Sequence, residues 1–201
     1  MLQELSKEHL HRMNIGRRYW GAEFKNVPDL PHKVMLEKYI ENYVQMFREG
    51  WGFFLWGDNS QGKTYAATAL LKEMVRRRKT AYCIVADELK KEYIVENNFD
   101  EDQSIPQRCE TVDFLLLEDI GKEYSGKGSG WAELCLENLI RKRTRELLPT
   151  VITTNINPGE FKQRYKKSAF AMVMECMTPI EVVDKNYRAK AANKKLAWFN
   201  E

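Results

Sequence analysis

The chain has 201 residues, 43% hydrophobic and 30% charged, the composition of one globular domain with enough apolar material for a sizeable core. No uninterrupted apolar run approaches the roughly 20 residues that span a bilayer, which excludes a membrane-spanning protein. The net charge of +3 is too small to argue for a nucleic-acid partner, but it is uneven: residues 141–201 hold 13 Lys and Arg against 6 Asp and Glu, net +7, so residues 1–140 carry −4. That basic final third either faces a polyanion or is a solvated surface.

The opening MLQELSKEHLHRMN contains no apolar stretch of signal-peptide length, so a cytoplasmic protein is expected. Residues 1–14 can form one amphipathic helix through Leu2, Leu5, Leu10 and Met13, which either docks in a partner's groove or packs on its own domain. Next come five short apolar stretches that read as buried strands: WGFFLW from Trp51, AYCIVA from Ala81, DFLLLE from Asp113, PTVITT from Pro149 and PIEVV from Pro179. Helical periodicity fills the gaps, in TYAATALLKEMVRRR after the first strand and WAELCLENLIRKRTREL before the fourth. Strand and helix alternate, which predicts an α/β layer fold on a parallel sheet.

In the first of these helices Ala67, Leu70, Leu71, Met74 and Val75 form a stripe for the sheet, while Lys72, Arg76 and Arg77 project elsewhere. The run Arg76 to Lys79 suits a helix C-terminus, where the macrodipole favours cations; phosphate contact is the alternative. Residues 96–110, ENNFDEDQSIPQRCE, read as a surface loop. Cys83, Cys109, Cys135 and Cys176 form no CxxC pair and read as reduced, partly buried thiols. His9, His11 and His32 lack ligand spacing, so a zinc site is not expected. Only 46 residues follow Asn155, too few for a large second domain.

Gly57-Asp58-Asn59-Ser60-Gln61-Gly62-Lys63-Thr64 satisfies G-x-x-x-x-G-K-[ST], and it follows an apolar strand and opens an amphipathic helix. Such a loop turns backbone N–H groups inward around an anion, and the helix N-terminus behind it adds positive potential. In this reading residues 57–65, Tyr65 included, hold ATP or ADP, with Lys63 on the β and γ phosphates and the Thr64 hydroxyl on Mg²⁺. A second signal is FLLLEDIG, a buried strand ending in Glu118 and Asp119. Beside a phosphate loop, one acid belongs near Mg²⁺ and the other can orient or deprotonate the attacking water. The strand PTVITTNIN ends at Thr153, Thr154 and Asn155, where an amide can hold the water or the γ phosphate. Open parallel sheets place ligands at the carboxyl ends of their strands, so Gly57, Glu118 and Asn155 are expected to converge.

The succession GDNSQGKTYAA, FLLLEDIG, LIRKRTRELLPTVITTN, GEFKQRY and TPIEVVDKNYR, preceded by IGRRYWGAEFKNV, resembles the ATPase domain of DnaC/DnaI-type replicative helicase loaders. IstB-type transposition helper ATPases share that core. The resemblance implies an AAA+ type P-loop core over residues 15–190, with a five-stranded, mostly parallel sheet, an extra strand between the phosphate-loop strand and the acidic strand, and no large helical lid. Residues 1–14 then stand in front of the core and residues 191–201 form a basic tail. Carried over by position, Lys63 and Thr64 are the phosphate and metal residues, Glu118 and Asp119 the acidic pair, Asn155 the first sensor and Arg188 the second-sensor arginine. Tyr19 and Trp20 fall beside the base, or else pack in the core.

The resemblance also implies a bacterial or phage protein with a replicative hexameric helicase and single-stranded DNA as partners, and self-association on ATP binding. DNA contacts would come from Lys122, Tyr124 and Lys127 in the loop after the acidic pair, and from Lys90 and Lys91. The chain departs from the family in three places. Glu precedes Asp in the acidic pair; Ser60 replaces a common glycine, tolerable where its backbone angles are ordinary; and no arginine lies between Tyr165 and Cys176 to reach a neighbouring subunit, which leaves Arg164, Lys166 or Lys167 as substitutes. A transposition helper, or a nucleotide-gated module with little hydrolysis, are the other readings; a small-molecule kinase leaves the TTN strand end unexplained.

Overall fold

The computed structural model describes residues 3–95, 104–121, 129–165 and 167–184. In chain order the elements are α1 (Lys7–Arg12), α2 (Pro31–Glu41), α3 (Tyr43–Arg48), β1 (Gly52–Trp56), α4 (Lys63–Arg76), β2 (Ala81–Val85), α5 (Ala86–Val95), α6 (Ile105–Thr111), β3 (Phe114–Ile120), α7 (Ser129–Arg145), β4 (Thr150–Thr154), α8 (Pro158–Arg164), α9 (Lys167–Cys176) and β5 (Met177–Glu181). The strands form one sheet in the order β2-β3-β4-β1-β5, every neighbouring pair parallel. β4 lies between β1 and β3, the extra strand that the resemblance implies.

Alternation along the strands sends side chains into two cores. Phe53, Leu55, Cys83, Phe114, Leu116 and Val151 face α4 and the N-terminal helices. Phe54, Tyr82, Ile84, Leu115, Leu117 and Ile152 face the layer of α5 to α9. Burial on both faces is why these strands read as continuous apolar runs.

β5 starts at Met177, two residues before the predicted stretch, because α9 runs directly into it. Among the described residues its strand partner is β1, and Pro179, which has no N–H to donate, is tolerated on this edge. Part of the predicted loop is also helical: α6 buries Pro106 and Cys109, and its N-cap Ser104 accepts from Gln107 N–H. Ser104 and Gln107 form an S-x-x-Q capping pattern that the sequence reading passed over; residues 96–103 lie outside the described residues.

Lys72 corrects the helical-stripe reading. It is 2% exposed, and its Nζ donates to Trp20 O, Ala22 O and Glu23 Oε1, because residues 17–26 fold across α4. Next along, Arg76 pairs with Glu73 and Glu23, Arg77 with Glu73, and the Lys79 ammonium sits 3.3 Å from the Phe47 ring centroid. The apolar side of α1 is likewise used internally: Leu10 and Met13 are buried in the α4-side core, and Leu5 packs against it. That packing corrects the docking-helix reading for these side chains; Leu2 lies outside the described residues. Among the described residues no helix is long and apolar enough to cross a membrane.

Candidate nucleotide site

The loop from Gly57 to Gly62 joins β1 to α4 and depends on unusual backbone angles. Gly57 has φ +143°, and a Cβ there would lie 2.5 Å from Val182 O and 2.7 Å from Gln61 Oε1, so only glycine fits beneath the exit of β5. Gly62 is left-handed at φ 91°. Ser60 is also left-handed, φ 69°, so the condition under which serine replaces glycine there without cost is not met. A β-carbon in this region costs about 1–2 kcal/mol, which is why glycine is the easier residue at such a position.

Lys63, the first residue of α4, is 6% exposed. Its Nζ donates to Gly57 O (2.8 Å), Asp58 O (2.7 Å) and Asn155 Oδ1 (2.8 Å). The Asn155 amide then donates to Asn59 Oδ1 at 2.9 Å, so the end of β4 is tied to the loop at two points. Of the three residues expected to converge, Glu118 and Asn155 line one cleft of 390 Å³ together with residues 59–66 and Asp119, while Gly57 is not on that lining and joins it only through its carbonyl, which accepts from Lys63.

β3 delivers the acidic pair through an irregularity in its pairing with β4 between Leu117 and Ile120. Asp119 is left-handed, φ 58°, and its N–H donates to Thr153 Oγ1 at 3.3 Å. A non-glycine residue in this conformation, next to a bulge at the end of a buried strand, is strain of the kind found at functional sites. Glu118 is half-buried. Burial pushes its carboxyl above the usual range, and the charges of Asp119 and Glu88 add to that; hydrogen bonds from Cys83 and Thr64 oppose it. The Thr64 hydroxyl and the Glu118 carboxylate thus line the same cleft where α4 begins and β3 ends. Two adjacent oxygens suit Mg²⁺, which takes one or two protein oxygens and completes its shell with phosphate and water. Among the described residues no group of three His, Cys, Asp or Glu is placed to hold a metal ion.

Beyond the loop the cleft continues along Arg18, Tyr19, Asn26, Val27, Pro28, His32 and Asp184. Tyr19 lines it. Trp20 does not: its indole N–H donates to Ile15 O and its ring meets His11 edge-on, so it is a packing residue. Tyr65 lines the cleft, with its hydroxyl accepting from Glu23 N–H at 3.3 Å. Sequence reasoning missed Asn26, His32 and Asp184, which carry no motif. His32 is 3% exposed, faces the cleft and has no hydrogen-bond partner among the described residues; burial lowers its pKa against an opposing pull from Asp184.

The remaining expected residues fall elsewhere. Arg188, Lys122, Tyr124 and Lys127, and the tail 191–201, lie outside the described residues. Lys90 and Lys91 are on α5, where Lys91 pairs with Asp87 at 2.7 Å. Of the proposed finger substitutes, Arg164 ends α8 and donates to Gly121 O at 2.9 Å, Lys167 begins α9, and Lys166 is outside the described residues.

No protein-family model matches the chain. It is 23% identical over 175 residues to the replicative helicase loader DnaI of Bacillus subtilis (strain 168); the match covers 83% of this chain and spans 54% of the relative's length. A crystal structure of the DnaC helicase loader superposes with a TM-score of 0.72 at 20% identity, covering 84% of this chain and all of that one. The replication initiator DnaA bound to AMPPCP and single-stranded DNA superposes with a TM-score of 0.61 at 18% identity, covering 92% of this chain and 56% of that one. In sequence and in fold, the chain resembles the DnaC/DnaI-type replicative helicase loaders.

Proposed function

We propose that the protein is an ATP-binding and ATP-hydrolysing replication factor that loads or modulates a replicative hexameric helicase and contacts single-stranded DNA. The observation that carries this reading is the meeting of Lys63, Asn155, Glu118 and Asp119 around one cleft at the carboxyl edge of the sheet. The likeness to DnaI and DnaC supports the helicase as partner, and the DnaA structure with AMPPCP and single-stranded DNA supports both ligands.

ATP binding lays the phosphates on the amides of residues 57–64 and draws the Lys63 ammonium from the loop carbonyls onto the β and γ oxygens. A charge-assisted bond to phosphate is stronger than one to a neutral carbonyl, so the exchange is downhill. Thr64 and Glu118 would hold Mg²⁺, whose chemistry is to neutralise charge on the β and γ oxygens during transfer. Asp119 takes the proton of the attacking water, Asn155 orients that water or the γ phosphate, and Arg188 senses the nucleotide. Lys90, Lys91, Lys122, Tyr124 and Lys127 are the DNA contacts of this reading. Self-association on ATP binding would bring a cation from a neighbouring subunit.

The test is steady-state ATP hydrolysis with and without single-stranded DNA, for the protein, Lys63→Ala and Asp119→Asn, with salt titrated to expose phosphate contacts. DNA-stimulated turnover lost in both variants is the expected result. Tight ATP binding without turnover under every DNA condition would replace the hydrolytic cycle with a nucleotide-gated module. Duplex-specific stimulation would favour a transposition helper.

A further inference from the structure

The sequence reading treats Cys83 as one more buried thiol, yet it is the side chain that meets the first carboxylate of the acidic pair. Cys83 is on β2, 4% exposed. Val85 is the register partner of Glu118, so Cys83 lies one diagonal step back on the same face of the sheet. Its Sγ donates to Glu118 Oε1 at 2.7 Å. Its backbone is fixed from the other side: Cys83 N–H donates to Met13 O and Cys83 O accepts from Asn14 Nδ2, both at 2.9 Å. Met13 caps α1 and Asn14 follows it, so the N-terminal helix sets the position of this thiol.

We propose that Cys83 is a positioning residue for the metal-binding carboxylate, its S–H holding Glu118 in the orientation that keeps it beside the Thr64 hydroxyl. The inference rests on the nucleotide reading above. A small apolar side chain at position 83 would fill the core equally well, but it would leave a half-buried carboxylate oxygen facing an apolar wall without a donor, which is unfavourable. The carboxylate would then turn away from the core, and from Thr64. Partners that orient a metal ligand from behind commonly change metal affinity by 10–100-fold when removed. A thiol is a weak donor, so the effect here belongs at the low end of that range.

The experiment measures the affinity of a fluorescent ATP analogue, N-methylanthraniloyl-ATP, as MgCl₂ is raised from zero, for the protein, Cys83→Ser, Cys83→Val and Cys83→Ala, with Glu118→Gln as reference. The half-saturating Mg²⁺ concentration should rise about tenfold in Cys83→Val and Cys83→Ala, with metal-free affinity changed by less than about twofold, while Cys83→Ser stays near the parent. Cys83→Ala keeps the test available where the larger valine does not fold. An unchanged Mg²⁺ dependence in the apolar variants, or an equal shift in Cys83→Ser, would overturn the inference. A parent protein that binds the analogue with no effect of Mg²⁺ would remove Glu118 as metal ligand, and this inference with it, but leave the nucleotide reading standing. A parent that does not bind the analogue at all would end both.

Discussion

Lys63 and Arg143 are both buried cations surrounded by protein oxygens, at opposite ends of the same sheet, and they serve different ends. Arg143 is 1% exposed and donates to five acceptors: Thr150 Oγ1 and the carbonyls of Cys109, Val112, Asp113 and Pro149. Those acceptors lie where α6 ends and β3 and β4 begin, so one guanidinium joins three elements at the amino edge of the sheet. Burial lowers its pKa to about 10, which still leaves it charged at neutral pH. Lys63 donates to the carbonyls of Gly57 and Asp58, in a loop with left-handed residues, and to Asn155 Oδ1, and it borders a cleft. One cation is enclosed by acceptors that cannot leave; the other is held by acceptors that a phosphate can replace. On the proposed function, that difference separates a structural buried charge from a phosphate-binding one more clearly than burial does.

Substituting the two cations should pull that contrast apart. Arg143→Met leaves carbonyls without donors at three element ends and should destabilise the fold by about 3–5 kcal/mol, read as a lower urea midpoint at unchanged slope. Lys63→Met should change stability by less than about 1 kcal/mol, since it removes an unexchanged charge together with its desolvation. Equal losses in the two variants would break the comparison. Gly57→Ala is expected to cost about 2 kcal/mol, because its Cβ would meet Val182 O at 2.5 Å in a left-handed backbone. In the opposite direction, Ser60→Gly should relieve φ 69° and raise stability by at most about 1 kcal/mol, offset in part by the greater freedom of glycine when unfolded; thermal unfolding measures both.

The smallest expected effect is a pH dependence from His32, in the part of the cleft beyond the loop. Burial lowers the His32 pKa below 6.5, so between the folded pKa and 6.5 the unfolded chain binds the extra proton. Stability should therefore fall as pH drops below about 6.5, and His32→Asn should flatten that slope; unfolding curves between pH 5 and 8 would show whether it does.

Much of this was legible in the chain itself, for identifiable reasons. The strands are buried on both faces, so they appear as unbroken apolar runs, and the phosphate loop requires residue types that stand out at any depth of burial. The meeting of Glu118 and Asn155 with that loop follows from parallel topology. What escaped reading depends on tertiary neighbours. Lys72 looks like a solvent-facing lysine until residues 17–26 fold over it, and Trp20 and Tyr19, adjacent in sequence, part company because only one points into the cleft. The left-handed φ of Ser60 is imposed by the loop, with no trace in residue type. α6 is a different case: its S-x-x-Q start was present, masked by the acidic run before it.

The most direct test of the central claim is calorimetric titration of ATP with Mg²⁺ into the protein and into Lys63→Met, both verified as folded. The account predicts one-to-one binding by the parent and a loss of at least about 100-fold in the variant, the scale of removing a buried cation from a phosphate site. A parent that takes up no nucleotide, or a variant that binds as tightly as the parent, would contradict it.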